Sequence, residues 1–136
     1  MVKIERRFKF KKEERLKGTK RVDAIFTTGK SFISYPLRVL YLMKEQSPST
    51  GCSILISVPK KRIKKAVHRN QIKRLIRESY RLNRTLIDQL EFNEYSIDVA
   101  LIYVKDSATN FNEIDKAIKK ALNQIAVRIK KIEESE

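Results

Sequence analysis

Asn70, Arg74, Arg77, Arg81 and Arg84 stand 4, 3, 4 and 3 residues apart within HRNQIKRLIRESYRLNR. On a helix that spacing aligns them along one face, with four guanidinium groups in a row. A guanidinium is a rigid fork of donors that matches the oxygens of a phosphate or carboxylate. The only acid among them is Glu78, so the matching partner is not within the segment. Arg69 and Lys73 flank the stripe, and Lys60 and Lys61 lie just upstream. Residues 60–84 hold eleven Lys or Arg and one acid, a net of +10 out of +15 for the whole chain. A solvated helix face normally mixes signs, because like charges one turn apart repel. Repulsion retained at this density points to a polyanion, each uncompensated charge being a candidate phosphate contact.

Side-chain catalysis has little to work with. A protein nuclease needs clustered carboxylates, a His pair or an activated nucleophile. His68 is the only histidine and reads as a helix-start residue without a chemical task. Asp98 alternates within an apolar strand and is expected to point to the sheet edge rather than to hold a metal. Cys52 is the only cysteine, which leaves no disulfide framework and no Cys-based zinc site and fits a reducing compartment. Glycine-rich phosphate loops are absent, the only glycines being Gly18, Gly29 and Gly51. The expectation is no catalytic residue and no metal ligand in the protein itself.

The basic stripe must be carried by something. Ile72, Leu75, Ile76, Ser79, Tyr80, Leu82, Leu86, Ile87 and Leu90 form a second face of the same helix, which is expected to run from near Ala66 to about Leu90 and to need covering. Upstream, Thr19 reads as the N-cap of a short helix with Val22, Ile25 and Phe26 on its apolar face and Gly29 in the C′ position. Residues 31–35 and 37–44 read as strands around Pro36, 46–51 as a turn-rich connection, and 53–58 as a third strand closed by Pro59. Residues 95–104, YSIDVALIYV, are apolar on both faces and should be central in the sheet. Strand, long helix and buried strand make a βαβ unit, whose crossover is right-handed in nearly all proteins. Asn110 or Asn112 then caps a last helix with an apolar stripe from Ile114 to Ile132.

At 136 residues the chain is one domain's length. Residues 1–15 interleave basic residues with Phe8 and Phe10 and read as a disordered basic arm, followed by a single α/β domain over 16–132 and a tail over 133–136. Residues 1–30 carry a net of +7, and 85–136 a net of −3, so the positive field belongs to two segments. No apolar run approaches the ~20 residues that span a bilayer, and a cytoplasmic protein without membrane contact is expected.

The segment RNQIKRLIRESYR, from Arg69 to Arg81, resembles the hallmark of the protein subunit of bacterial ribonuclease P. SVPKK before it, Ala66-Val67, RVDAIFTTGKS and VLYL agree with that family in order and spacing, over about residues 16 to 130. The resemblance implies an α+β single domain of order α-β-β-β-α-β-α, a four-stranded sheet with three helices, and a left-handed βαβ crossover carrying the basic helix. It implies a partner, the large ribonuclease P RNA, which removes the 5′ leader of precursor tRNA using Mg²⁺ held mainly by RNA, with no obligate protein partner. Lys60, Lys61, Arg69, Asn70, Lys73, Arg74, Arg77 and Arg81 would meet the RNA subunit. Phe26, Tyr41 and Ser57 would contact the leader, with both rings along one groove between the first helix and the sheet. The chain departs from the family pattern at Gln71, where Arg is usual, at Val22, where an aromatic is common, and at Lys64, a frequent Gly.

Two other classes fit parts of the same pattern. The charge distribution alone equally supports a stand-alone RNA- or DNA-binding module such as a ribosomal protein. A metal-dependent nuclease acting through Asp98, Asp88 or Glu91 is the other. Copurified RNA separates the first from ribonuclease P, and cleavage by RNA-free protein would single out the second.

Overall fold

The computed structural model describes residues 19–45, 51–88 and 95–135. The basic arm at 1–15 and the connection at 46–50 lie outside them. Among the described residues the order is α1 (Thr19–Thr28), β1 (Lys30–Ser34), β2 (Leu37–Glu45), β3 (Gly51–Ser57), α2 (Ala66–Asn83), α3 (Thr85–Asp88), β4 (Tyr95–Tyr103) and α4 (Phe111–Ser135). The strands form one sheet in the order β1-β2-β4-β3. β4 is central as expected, antiparallel to β2 from Leu37↔Tyr103 to Glu45↔Tyr95 and parallel to β3 from Gly51↔Ser96 to Ser57↔Ile102. α2 therefore lies within a parallel crossover.

Alternation along the strands sorts the two faces. Val39, Tyr41, Ile54, Ile97, Val99 and Leu101 point to the side covered by α2 and α4, and build the main core with Ile72, Ile76, Tyr80, Ile118, Leu122 and Ile125. Leu40 and Ala100 point the other way, where Ile25 of α1 covers them beside Val22, Leu42, Leu55 and Ile102. Among the described residues the second face is covered by one short helix, and Leu55 and Ile102 are half-buried. β1 is pinned at its end by Ser34, whose Oγ donates to the carbonyl of Ala117 on α4 at 2.7 Å.

Several sequence expectations are corrected. The basic helix ends at Asn83, and a turn at Arg84 leads into the separate one-turn α3. Asn83 turns its amide back to the Ser79 carbonyl at 2.8 Å and across to Asp115 of α4 at 2.7 Å, a local bond of the kind that competes with helix continuation. Leu82, read as core, is exposed. Asp98 is fully buried in the central strand, between Leu42 and Ser53 in register, and is not at a sheet edge. Gly29 follows α1, but not because of a left-handed backbone: a Cβ there would collide with the Ile25 carbonyl oxygen and lie 3.1 Å from that of Tyr41. α4 continues through Ser135, into the segment read as a tail.

Asn110 rather than Asn112 caps α4, its Oδ1 accepting from the Glu113 amide at 2.9 Å. Glu113 is held in turn by Thr109 Oγ1 at 2.6 Å and Lys105 Nζ at 2.9 Å. Those two bonds keep its carboxyl below the ordinary range against a small opposing effect of burial.

Candidate nucleic-acid interface

α2 is helical because its apolar residues recur at 3 to 4 spacing and dock on the sheet and on α4, which places the remaining residues outward. Asn70, Arg74, Arg77, Glu78 and Arg81 line one open groove along this outer face. Arg74 and Arg77 are exposed, and neither forms a salt bridge to a described residue. Arg77 Nε reaches only the Lys73 carbonyl, at 3.4 Å. Arg81 is different: its Nε donates to Glu78 Oε2 at 3.2 Å while its Nη2 grips Oε1. This pairing lowers the Glu78 pKa, and it raises that of Arg81. Arg84, the fourth guanidinium of the expected stripe, is buried in the turn after α2 and takes no part in the groove. The stripe is thus Asn70, Arg74 and Arg77, with a paired Arg81 at its end.

The 59–65 loop joins β3 to α2. The amides of Arg62 and Ile63 both donate to the Pro59 carbonyl, at 3.0 and 3.2 Å, which folds the loop into a turn. Ile63 is buried in the main core, and Arg62 Nη1 is tied to Asp106 at 3.0 Å. Lys60, Lys61, Lys64 and Lys65 remain exposed. Lys65 starts α2 without a side-chain cap, and the first turn holds no acid. Arg69, expected among the outward contacts, is half-buried and turns Nη1 back onto the carbonyls of Ile63 at 3.1 Å and Lys64 at 2.6 Å. His68 is exposed in the first turn, as its position suggested.

A network that sequence reading missed ties this helix to α4. Ser79 Oγ donates to Asp115 Oδ1 at 2.9 Å, Asn83 Nδ2 donates to the same oxygen, and Lys119 Nζ lies 3.0 Å from Oδ2. Burial pushes the Asp115 carboxyl up, but the bonds from Lys119, Ser79 and Asn83 outweigh it and the net shift is downward. The only sequence signal was a polar Ser79 and Asn83 on an apolar helix face.

Phe26 and Tyr41 do not share a groove. Phe26 is on α1 and half exposed, on the side of the sheet that carries Ser57, Leu55 and Ile102. Tyr41 is on the opposite side, 3% exposed, with its ring edge-on to Phe32 and its hydroxyl accepting from Arg128 of α4 at 3.1 Å. The Arg128 guanidinium lies 5.0 Å from the Phe32 ring centre and 5.7 Å from that of Tyr41. Residues 37, 39, 41 and 43 share one strand face, and α4 rather than α1 covers it. Among the described residues no group of three His, Cys, Asp or Glu converges as a cation cage, and no helix is long and apolar enough to cross a membrane.

A basic helix presented from a parallel β3-α2-β4 unit narrows the field, and comparison with known proteins decides it. The family model for ribonuclease P matches residues 10–126. The chain belongs to the ribonuclease P protein family. It is 39% identical over 120 residues to the ribonuclease P protein component of Porphyromonas gingivalis, covering 88% of each chain. To the ribonuclease P protein component of Clostridioides difficile it is 33% identical over 120 residues, covering 88% of this chain and 98% of the other. The solved structure of the Staphylococcus aureus RNase P protein superposes with a TM-score of 0.64 at 25% identity, over 85% of this chain and 96% of that one. The Thermotoga maritima RNase P protein shares the fold at a TM-score of 0.63 and 24% identity, over 82% of this chain and 96% of that one. The segment from Arg69 to Arg81, on which the resemblance rested, lies within α2, with Ile72, Ile76, Ser79 and Tyr80 buried and Asn70, Arg74 and Arg77 on its outer face.

Proposed function

We propose that this ribonuclease P protein binds the large ribonuclease P RNA through α2 and the 59–65 loop, and assists endonucleolytic removal of the 5′ leader from precursor tRNA. The observation that carries this reading is the outer face of α2. Arg74 and Arg77 sit exposed, one turn apart, and neither forms a salt bridge to a described residue; the one acid in their groove, Glu78, is gripped by Arg81. Hydrolysis belongs to the RNA, with Mg²⁺ held mainly by RNA. The protein's part is to hold phosphates in place and to screen their repulsion, in the cytoplasm and without an obligate protein partner.

The leader is proposed to lie on the α1 side of the sheet. Phe26 offers a half-exposed ring there, and Ser57, Leu55 and Ile102 form a partly open floor on the same side. A base stacked on an aromatic is worth ~1 to 3 kcal/mol and tolerates any sequence, which suits a protein that meets many leaders. Tyr41 is buried under α4 and is therefore left out of the proposed leader surface.

Reconstitution tests the assignment. RNA-free protein should leave precursor tRNA intact, and adding ribonuclease P RNA and Mg²⁺ should give cleavage at the leader junction, faster than with RNA alone at low salt. Turnover by rigorously RNA-free protein would overturn it. Phe26→Ala should weaken binding of a leader-bearing precursor, by roughly tenfold if one stacking contact is lost, while leaving mature tRNA unaffected.

A further inference from the structure

We propose that Arg69 is a positioning residue, whose guanidinium holds the 59–65 loop in the shape that presents Lys60, Lys61, Lys64 and Lys65 to RNA phosphates instead of contacting RNA itself. This rests on the RNA-binding reading above and assigns a division of labour within that surface. A loop carrying four exposed lysines is subject to its own repulsion, and an unbraced loop would spread. Here three ties oppose the spreading. Ile63 is buried in the core, Arg62 is tethered to Asp106, and Arg69 spends one guanidinium nitrogen on two successive carbonyls, those of Ile63 and Lys64. The last tie comes from α2 itself, one turn in, so the loop and the arginine stripe are fixed in one frame. Charge-assisted bonds to carbonyls are about twice as strong as neutral ones, which is why an arginine rather than a polar residue suits this place. Asn70, the next residue, points into the outer groove, so the neighbours Arg69 and Asn70 face opposite tasks.

Salt-dependent affinity for ribonuclease P RNA separates the two roles. A residue that makes one phosphate contact flattens log K against log salt by ~0.7 to 0.9 on removal. Arg69→Ala should flatten it by more than that, since several lysines lose their placement. In a protein already carrying Lys60→Ala, Lys61→Ala, Lys64→Ala and Lys65→Ala, the same Arg69→Ala should add almost nothing. Equal losses in the two backgrounds would mean that Arg69 touches RNA directly, and would overturn the proposal. Amide hydrogen exchange in the RNA-free protein gives a second measurement. Arg69→Ala should speed exchange at the Arg62 and Ile63 amides while the middle of α2 keeps its protection, and unchanged exchange at those two amides would also overturn it. If the four-lysine variant and Arg74→Ala/Arg77→Ala both bind RNA as the wild type does, the RNA-binding reading itself fails. If they lose affinity while Arg69→Ala proves additive, only the positioning role fails.

Discussion

α2 and α4 pack against each other on the same side of the sheet, and each carries an outward stripe at 4 and 3 spacing. On α2 it runs through Asn70, Arg74, Arg77 and Arg81, and on α4 through Lys116, Lys120, Asn123, Val127 and Lys130. Their charge is used in different ways. α4 has six basic residues to four acids, and several of its described charged side chains are turned to fastening, Glu113 to Lys105 and Thr109, Asp115 to Lys119 and α2, and Arg128 over Phe32 and Tyr41, while Lys116, Lys120 and Lys130 stay exposed. α2 has five basic residues to one acid, and that acid holds only Arg81. Amphipathic patterning is common to both helices and says nothing about RNA. What separates them is guanidinium charge left without a partner inside the fold.

The comparison is tested most severely where α4 is held to be structural. Tyr41→Ala removes a buried ring and the acceptor for Arg128, and should cost about 3 to 5 kcal/mol, the range for deleting a buried aromatic. Tyr41→Phe keeps the ring and loses one hydrogen bond, about 1 kcal/mol. Urea denaturation reads both values. In neither variant should the folded protein distinguish leader-bearing from mature tRNA any differently from wild type. A leader-specific defect in folded Tyr41→Phe would return Tyr41 to the RNA surface.

The converse experiment acts on α2. Arg74→Ala/Arg77→Ala should flatten the salt dependence of ribonuclease P RNA binding by about 1.4 to 1.8, two contacts' worth. Lys116→Ala/Lys120→Ala on α4 removes the same formal charge, and should change it by less than one contact. Equal slopes would show that net charge rather than the α2 surface governs binding.

Much of this was legible in the sequence because the signals were long and periodic. The docked face of α2, the doubly buried β4 and the core stripe of α4 each repeat over several turns or pleats, and the hallmark words fell on one of them. What was missed depends on contacts between distant residues. Nothing near Asn83 announces Asp115, 32 positions on, as the partner that helps end the helix there. Alternation grouped Leu37, Val39, Tyr41 and Met43 on one strand face, but alternation cannot say which helix covers that face, and the groove between Phe26 and Tyr41 failed on that point. Arg69, flanking the stripe, read as one more outward contact, and only the path of the preceding loop turns it inward.

The Asp115 network joins the two helices, and a smaller effect is expected there. Asp115→Asn keeps the shape but weakens the bonds from Lys119, Ser79 and Asn83, and should cost roughly 1 to 3 kcal/mol. The pH dependence follows from the sign of the shift. The folded carboxyl titrates below its unfolded value, so its contribution is complete above the unfolded pKa of about 3.9 and is lost as pH falls through the folded one. Wild type should therefore lose stability on acidification over that window more steeply than Asp115→Asn. Parallel acid limbs would mean that the carboxylate is not what fastens α2 to α4.

The smallest expected effect concerns the one place where α2 behaves like α4. Glu78 neutralises Arg81 and adds a negative charge beside the groove lined by Arg74 and Arg77. If unpartnered guanidinium charge is what makes this face a phosphate surface, Glu78→Gln should release Arg81 and remove the repulsion in a single change. An exposed ion pair is worth only ~0.2 to 1 kcal/mol, so stability should hardly move, and affinity for ribonuclease P RNA should rise by at most about fivefold. The gain should be largest at low salt and fade as screening shortens the reach of the charge. Glu78→Gln/Arg81→Ala then distinguishes the two contributions: a gain that survives loss of Arg81 comes from lifting the repulsion, and one that vanishes comes from the freed guanidinium. A loss of affinity in Glu78→Gln would mean instead that the Glu78–Arg81 pair is itself the shape the RNA reads, and that pairing within the helix does not withdraw an arginine from binding.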